Sequence, residues 1–177
     1  MIEIVPYDPY WPALFETEAA RVREAAGALA LRIEHVGSTS VPGLAAKPVI
    51  DIQVSVASLE NPAAYSELLA QLGYSHVPLG PIDLVYPFYQ RPAAWPATHH
   101  VHLCVLGSEQ ERRHLAFRDY LRSHSEVASE YAALKRRLAA AHDGLSLESR
   151  ERYSLSKTEF VTSVLGRALP ADRPRHA

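Results

Sequence analysis

The chain has 177 residues with 18 basic and 20 acidic side chains, a formal net charge of −2 and a pI near 6.5. This balance excludes a general electrostatic attraction for long nucleic acid, which usually requires a basic stripe, but it leaves room for a local phosphate pocket. The hydrophobic fraction is 47%, and no apolar run is long enough for a membrane helix, so we expect one globular, soluble domain. A single cysteine and an N-terminus unlike a signal peptide favour the reducing cytoplasm.

The first part of the chain predicts one helix and two strands. Residues 1–10 form an extended lead-in, and Pro12 suits the first turn of a helix whose apolar residues recur in steps of three and four. Residues 31–36 suit a short strand that ends at a turn over 37–40. The clearest strand is 48–56, because apolar and polar positions alternate along it.

The middle of the chain predicts a second helix and a second clear strand. Asn61 is a suitable N-cap for a helix that ends at Gly73. Five prolines interrupt residues 74–97, which we predict to form short strands joined by loops. Residues 98–106 form the next strand, and its less apolar face carries Thr98, His100, His102 and Cys104.

The last part of the chain is predicted to be helical. Ser108 with Glu111 forms a capping box for one helix, a second starts at about Ser125, and a third spans about 147–169. Residues 170–177 are expected to form a flexible tail.

The order of these elements predicts an α+β fold for a single domain at 1–169. Helices and strands of this order form a mixed sheet with helices packed against it, which we expect on one side of the sheet.

A Gly-Ser turn followed by an acidic strand residue is the main chemical signal. Gly37 and Ser38 directly follow the first predicted strand, and Asp51 comes after twelve intervening residues. The glycine lets a phosphate approach the backbone, and the serine hydroxyl with nearby N–H groups can bind its oxygens. A carboxylate in an otherwise apolar strand is unfavourable unless paired or hydrated, which favours Asp51 as a catalytic metal holder over a structural ion pair with Lys47.

Nucleotidyltransferases of the polymerase-beta type carry this turn, a similar gap and an acidic–apolar–acidic triplet, and a closer resemblance covers nearly the whole chain. The run HVGSTSVPGLAAKPVIDI at 35–52 resembles the signature of the GrpB (UPF0157) family. Further matching runs are PYDPYWPALFE at 6–16, THHVHL at 98–103, HLAFRDYLRSH at 114–124, YAALKRRL at 131–138 and SKTEF at 156–160. The chain is therefore identified as a member of this family.

The resemblance implies a fold, a ligand class and a cofactor. The family is placed in the nucleotidyltransferase superfamily, so we expect a polymerase-beta-like fold, a nucleotide or other phosphate-bearing ligand, and a divalent metal such as Mg or Mn. Relatives fused to dephospho-CoA kinase point to coenzyme A metabolism, while the family's own activity is poorly defined. The chain departs from active superfamily members at Gln53, where a neutral amide replaces the second carboxylate and weakens a two-metal site.

His100 and His102 offer the metal a different ligand set. Strand alternation places both on the same kind of face that carries Asp51. Two histidines and one carboxylate can bind a transition metal and leave positions open for substrate. The alternative is that the histidines form hydrogen bonds across the sheet, and the sequence leaves both interpretations open.

The candidate substrate contacts each have a plain structural alternative. Hydroxyl groups of the turn can be ordinary turn residues, and the basic side chains can be solvated charges. Tyr153 and Lys157 are four residues apart on a predicted helix face and could reach over the cleft. The candidates are Gly37, Ser38, Thr39, Ser40, Lys47, Gln53, Arg91, Tyr153 and Lys157.

Three functions compete at this stage. The first is metal-dependent nucleotidyl or phosphate-group transfer, and the second is a binding domain that has lost catalysis, which Gln53 favours. The third arises because His100, His102 and Cys104 echo the alternating residues of histidine-triad hydrolases. It ranks last, because Cys104 replaces the third histidine and suits a packing role.

Overall fold

A five-stranded mixed sheet organises the fold. The computed structural model describes residues 1–169, so the predicted tail at 170–177 lies outside the described residues. The strands are β1 (Arg32–Val36), β2 (Ile50–Val56), β3 (Ser75–His76), β4 (Phe88–Arg91) and β5 (His99–Val105), in the order β1-β2-β5-β4-β3. β2 and β5 run parallel, whereas the other pairs are antiparallel. The predicted mixed sheet is confirmed.

One face of the sheet packs against α1 (Trp11–Ala26) and α2 (Pro62–Gln71). The alternation predicted for β2 places its apolar side chains on this face, where each full burial contributes roughly 1.5–3 kcal/mol. The side-chain oxygen of Asn61 accepts a hydrogen bond from the backbone N–H of Ala64, as expected of an N-cap. The main buried residues of this core are Trp11, Phe15, Val22, Ile50, Ile52, Val54, Val56, Leu69, Val101 and Leu103.

The opposite, polar face of the sheet is also covered, by α3 (Glu109–Ser123). The Ser55 hydroxyl donates to the Glu111 carboxylate at 2.5 Å, and Arg118 donates to the Glu34 carboxylate at 2.7 Å. Helices therefore lie on both sides of the sheet, and the prediction of helices on one side is wrong. Polar side chains on one face of a strand usually indicate that this face is exposed to solvent. Here those of Ser55 and Glu34 form hydrogen bonds with α3 instead.

The remaining helices are α4 (Ser125–Ala141), α5 (Leu147–Leu155) and α6 (Thr158–Ala168). The single last helix predicted over 147–169 is wrong, because the chain turns between α5 and α6. The Ser156 hydroxyl donates to the Arg152 carbonyl at 2.8 Å, and such a bond within a helix favours a bend. Within residues 1–169, no helix is both long and apolar enough to cross a membrane. A second core joins α3, α4 and α6 to the loop before β2 through Val41, Leu44, Leu121, Val127, Tyr131 and Val164.

Candidate functional site

The candidate site lies at the start of β2, where Asp51 meets two histidines of β5. Oδ1 of Asp51 is 2.9 Å from Nδ1 of His100 and 3.6 Å from Nε2 of His102. Parallel pairing places Asp51 directly beside His100, and His102 follows two residues later on the same face. The structure therefore brings together the three residues that the sequence suggests as metal ligands.

The turn before β2 brings its first residue against this carboxylate. Gly37 has φ 69° and ψ −171°, a combination that is essentially restricted to glycine. A Cβ at this position would lie 2.2 Å from Oδ2 and 2.9 Å from Cβ of Asp51. Gly37 is thus required by the close approach of the Asp51 side chain, a reason the sequence alone does not reveal.

Two hydroxyl groups of the same turn form hydrogen bonds within the protein. The Thr39 hydroxyl donates to a backbone carbonyl at 3.0 Å and lies 3.0 Å from Nε2 of His35, while the Ser40 hydroxyl donates to the Gly37 carbonyl at 2.6 Å. Both residues are buried, so the structure does not support a ligand contact for either side chain. Ser38 is only half-buried, which leaves its hydroxyl as the better candidate for a ligand contact.

The electrostatics of the site favour an ionised carboxylate beside a neutral imidazole. Burial opposes ionisation of Asp51, but the hydrogen bond from His100 and the nearby His102 ring outweigh it and hold the carboxyl pKa well below its usual range. Burial lowers the pKa of His100, against the opposing effect of Asp51. A neutral histidine has one N–H and one lone pair, so it can donate to Asp51 or bind a cation.

The three side chains fit a single metal ion. Asp51, His100 and His102 each offer one ligand atom, and these atoms lie within 4.8 Å of one another. Bonds of about 2.0–2.2 Å would let one ion bind all three after a small movement of the side chains. Two nitrogens and one oxygen suit Zn²⁺, Mn²⁺ or Fe²⁺ better than Mg²⁺, which prefers oxygen ligands.

Gln53 sits on this face at the position of the missing second carboxylate. Its side chain is 0% exposed, and within residues 1–169 neither its amide oxygen nor its amide nitrogen has a hydrogen-bond partner. A buried amide without a hydrogen-bond partner is unfavourable by about 1–3 kcal/mol, so the Gln53 side chain destabilises the folded protein by about this amount. Its direct contact with substrate remains a prediction.

Tyr86, Phe88 and His114 form an aromatic cluster around His102 that the sequence analysis did not predict. The Tyr86 ring stacks on His102 with centroids 5.0 Å apart and on His114 with centroids 4.5 Å apart, and Phe88 stacks on His102 at 5.0 Å. Burial lowers the pKa of His114 to about 4, so this ring is neutral at pH 7. These rings shield one side of the site from water. His114 opens a run that carries the family resemblance, and this is the signal that could have found it.

Lysine side chains enter the same region from three separate segments. Lys47 precedes β2, Lys135 lies on α4, and Lys157 lies between α5 and α6. The Tyr153 ring is contacted by Nζ of Lys157, 4.4 Å from its centroid, and by Nζ of Lys47, 5.4 Å away. Nζ of Lys135 lies 4.7 Å from the Tyr131 ring centroid and donates to a backbone carbonyl at 2.5 Å.

These contacts agree in part with the sequence analysis. Tyr153 and Lys157 are neighbours as expected, although a turn rather than a continuous helix places them together. Lys135 was not predicted because it lies in a helix whose packing partner the sequence does not specify. The Ser38 hydroxyl lies close to the Tyr131 phenol, which connects the turn to α4.

Arg91 lies on the opposite face of the sheet from Asp51. β4 pairs it with His99, and its guanidinium donates to the Glu18 carboxylate at 2.8 Å. Glu18 is 3% exposed, and a buried carboxylate requires such a partner. Arg91 therefore stabilises the core under α1, and its position does not support the substrate contact that the sequence suggested.

Cys104 belongs to a structural network further along the polar face. Its Sγ lies 3.6 Å from the Ser55 hydroxyl, which donates to Glu111. Cys104 is 0% exposed, and burial raises the pKa of its thiol to about 11. An unreactive buried thiol agrees with a packing role and leaves the histidine-triad interpretation without a third catalytic group.

Sequence comparisons match the chain to one group of proteins. The family model described as "GrpB protein" matches residues 1–167. The UPF0157 protein YqkA of Bacillus subtilis is 38% identical over 163 residues, which cover 92% of this chain and 46% of that protein. A dephospho-CoA kinase of Mycolicibacterium paratuberculosis is 33% identical over 166 residues, covering 81% of this chain and 41% of the kinase. The chain spans less than half the length of both relatives.

Solved structures extend the comparison to the fold. The crystal structure of the conserved protein GrpB from Enterococcus faecalis has a TM-score of 0.80 at 36% identity, covering 94% of this chain and 97% of that one. The Cid1 poly(U) polymerase, in a crystal structure with Mg and 3'-dATP bound, has a TM-score of 0.52 at 14% identity, covering 81% of this chain and 45% of that one. At such low identity the likeness concerns the fold alone, and it confirms the predicted nucleotidyltransferase-like fold.

Proposed function

This chain belongs to the GrpB family, and on that premise we propose that it binds a nucleotide or another phosphate-bearing small molecule beside a divalent metal ion and transfers a phosphate-containing group to an acceptor. The fold likeness to a nucleotidyltransferase and the similarity to a protein named dephospho-CoA kinase support a ligand of this class. The residues in the metal-holding role are Asp51, His100 and His102.

The observation that carries the proposal is the position of Asp51. Its carboxylate lies against the Gly37 turn on one side and the two histidines on the other. A phosphate received by the backbone and hydroxyl of Ser38 would therefore lie next to a cation held by Asp51. This combination of an anion cradle and a metal-binding carboxylate is what phosphate-group transfer requires.

Each side chain has a distinct task in this scheme. A bound divalent ion supplies positive charge that offsets the negative charge developing on the transferring group. Asp51 and the two histidines orient that ion, and Lys47 and Lys157 neutralise further phosphate oxygens. Tyr86 and His114 exclude water behind His102, where electrostatic interactions are then stronger. Gln53 keeps the site to a single carboxylate, which favours one ion over two.

Asp51→Asn tests this proposal, because it nearly preserves shape and removes the charge. We expect turnover of a nucleotide to fall by orders of magnitude, while metal-free affinity changes little or rises as repulsion of phosphate disappears. Calorimetry with a nucleotide panel, in Mn²⁺ and in EDTA, measures both effects for the wild type and the variant.

A histidine pair provides the matched control for the metal. His100→Ala should weaken Mn²⁺ and Zn²⁺ binding, measured with the ion alone, whereas His76→Ala should not, because His76 lies on β3 outside the site. Equal metal affinity of both variants, or metal-independent nucleotide binding that is lost in Asp51→Asn, contradicts the transfer function.

The second of these outcomes supports a binding domain instead. The observation that favours this alternative is Gln53, fully buried and neutral where a second carboxylate would stand. Such a domain would present a nucleotide or phosphate ligand without reacting it, in connection with coenzyme A metabolism. It predicts that Asp51→Asn costs affinity or stability in EDTA as much as in Mn²⁺.

A further inference from the structure

The lysines of this chain are few and are concentrated in one place. Only three of its 18 basic side chains are lysines, and all three lie close enough to Asp51 to interact with its charge, in the region that we call the cleft. Everywhere else the chain uses arginine. Lysine differs from arginine in that its compact ammonium group can lose its proton when buried, whereas arginine stays charged. The basic side chains near Asp51 that are lysines can therefore lose their charge, whereas the arginines elsewhere in the chain keep theirs.

The three ammonium groups lack direct acidic partners. Among the ion pairs formed within residues 1–169, the cation is always arginine or histidine and never lysine. Lys135 is 2% exposed and bonds a carbonyl, and Lys47 and Lys157 share the Tyr153 ring. Buried cations without a counter-charge are unfavourable. An anion that binds in the cleft would supply this counter-charge, so we expect the cleft to bind anions.

The charges of the cleft indicate the size of that anion. Once all three lysines are protonated, their charges against the single carboxylate of Asp51 leave a formal excess of about two positive charges, and a divalent ion at Asp51 would double it. A phosphomonoester carries only about −1.5 to −2 at pH 7. A single phosphate would therefore leave the loaded cleft short of negative charge, whereas a chain of two or three phosphates would balance it.

We propose that Lys47, Lys135 and Lys157 together bind the phosphate chain of a di- or triphosphate-bearing ligand, and that the ligand's entry is coupled to proton uptake by these lysines. The inference rests on the proposed phosphate-binding function and names its ligand class and its pH dependence. It also assigns a ligand-binding role to Lys135, which lies on α4, whereas Lys47 and Lys157 lie in connecting segments.

Proton uptake follows from the state of the lysines in the free protein. Burial, reinforced by Lys157 and Arg136, lowers the pKa of Lys135 to about 7, and burial with Lys47 lowers the pKa of Lys157 to about 7. Above pH 7 these amines are largely neutral, and a polyanion restores their charge by raising the pKa again. Affinity should thus fall as pH rises above 7, by up to about tenfold per pH unit for each such lysine. The charged and titratable groups facing the three lysines are Asp51, His100, Arg136, Arg150, Tyr131 and Tyr153.

Titration calorimetry in EDTA tests the ligand class without metal. Wild-type protein should bind inorganic tripolyphosphate more tightly than pyrophosphate, and pyrophosphate more tightly than orthophosphate. Lys135→Met and Lys157→Met should each weaken tripolyphosphate binding by about tenfold or more, since each removes a charged hydrogen-bond donor. Arg137→Met is the matched control, because this exposed residue of α4 lies two positions from Lys135 and is not among the charged groups that face the three lysines, so it should leave affinity unchanged.

Proton uptake is measured by repeating the titration in buffers of different ionisation enthalpy. The double variant Lys135→Arg/Lys157→Arg should take up fewer protons than the wild type, because arginine is already charged. Acetylation of the wild-type protein by acetic anhydride gives a readout that needs no variant. Mass spectrometry should show that tripolyphosphate protects Lys135 and Lys157, while the Met1 amino group reacts as before.

Equal affinity for orthophosphate and tripolyphosphate, or unprotected lysines at saturating tripolyphosphate, overturns the inference. The same holds if the wild type and the double arginine variant take up equal numbers of protons. Intact Mn²⁺ binding that depends on His100 in the same protein would leave the proposed metal site standing. Loss of both tripolyphosphate and metal binding would remove the proposed function as well.

Discussion

Substituting Gly37 with alanine tests the contact on which the geometry of the site depends. The added Cβ would lie 2.2 Å from Oδ2 and 2.8 Å from Cγ of Asp51, so the carboxylate must move. The backbone at φ 69° and ψ −171° adds strain of about 1–3 kcal/mol for any other residue, and the collision adds about 1–3 kcal/mol more. The expected loss of stability is therefore about 2–6 kcal/mol.

Thermal unfolding measures this loss. For a domain of this size, 1 kcal/mol corresponds to about 2–4 °C, so the melting temperature of Gly37→Ala should fall by about 4–24 °C. Gly43→Ala is the matched control, because Gly43 has φ 78° in the following loop but a Cβ there would meet nothing within 4 Å. It should carry backbone strain without the collision.

A double-mutant cycle isolates the collision itself. Asp51→Ala removes the two atoms nearest to the added Cβ, so Gly37→Ala should be less destabilising in that background. The expected coupling free energy is about 1 kcal/mol or more. If Gly37→Ala is no more destabilising than Gly43→Ala, or if the coupling is absent, then the glycine does not serve the approach of Asp51.

Two further substitutions test other assignments. Gln53→Glu should destabilise the protein in EDTA by about 3 kcal/mol, because it buries a second carboxylate beside Asp51, and should tighten Mn²⁺ binding; an unchanged Mn²⁺ affinity would show that this position does not reach the ion. Arg91→Met should lower the free energy of unfolding by about 1.5–3 kcal/mol, because buried Glu18 loses one charged donor while it keeps Arg21 and Tyr74, and ligand and metal affinity should be unchanged. Arg23→Met serves as the control, because Arg23 is exposed on α1. A loss of ligand affinity in Arg91→Met alone would show that Arg91 contributes to ligand binding.

The carboxylate–histidine arrangement could be predicted from the sequence because it depends on strand geometry. Side chains alternate along a strand with a period of two, so polar residues at 51 and 53 share a face, as do those at 100 and 102. Once β2 and β5 pair in parallel, residues beside each other in register point the same way, and Asp51 meets His100. The turn before β2 was equally readable, since its glycine and hydroxyl residues have strong local preferences.

Other features differ from the sequence analysis because their surroundings are set by contacts that the sequence does not reveal. Arg91 lies in a proline-rich stretch whose register on β5 could not be deduced, and one residue of slip moves a side chain to the other face. Thr39 and Ser40 have side chains suited to a ligand, but in the folded chain Thr39 donates to the Val49 carbonyl and Ser40 to the Gly37 carbonyl. The break between α5 and α6 falls at residues 156–157, and the apolar periodicity of the segment does not detect it.

The fold class, the family and the strand face that carries Asp51, His100 and His102 could be inferred from the sequence, because these depend on periodicity and local motifs. What covers that face is visible only in the folded chain. Lys135, His114 and Tyr86 come from segments far apart in sequence, and packing alone brings them to the site. The same packing removes these side chains from water, which lowers the pKa of Lys135 and Lys157 to about 7. A count of lysines was available from the sequence, but their convergence is a property of the folded chain.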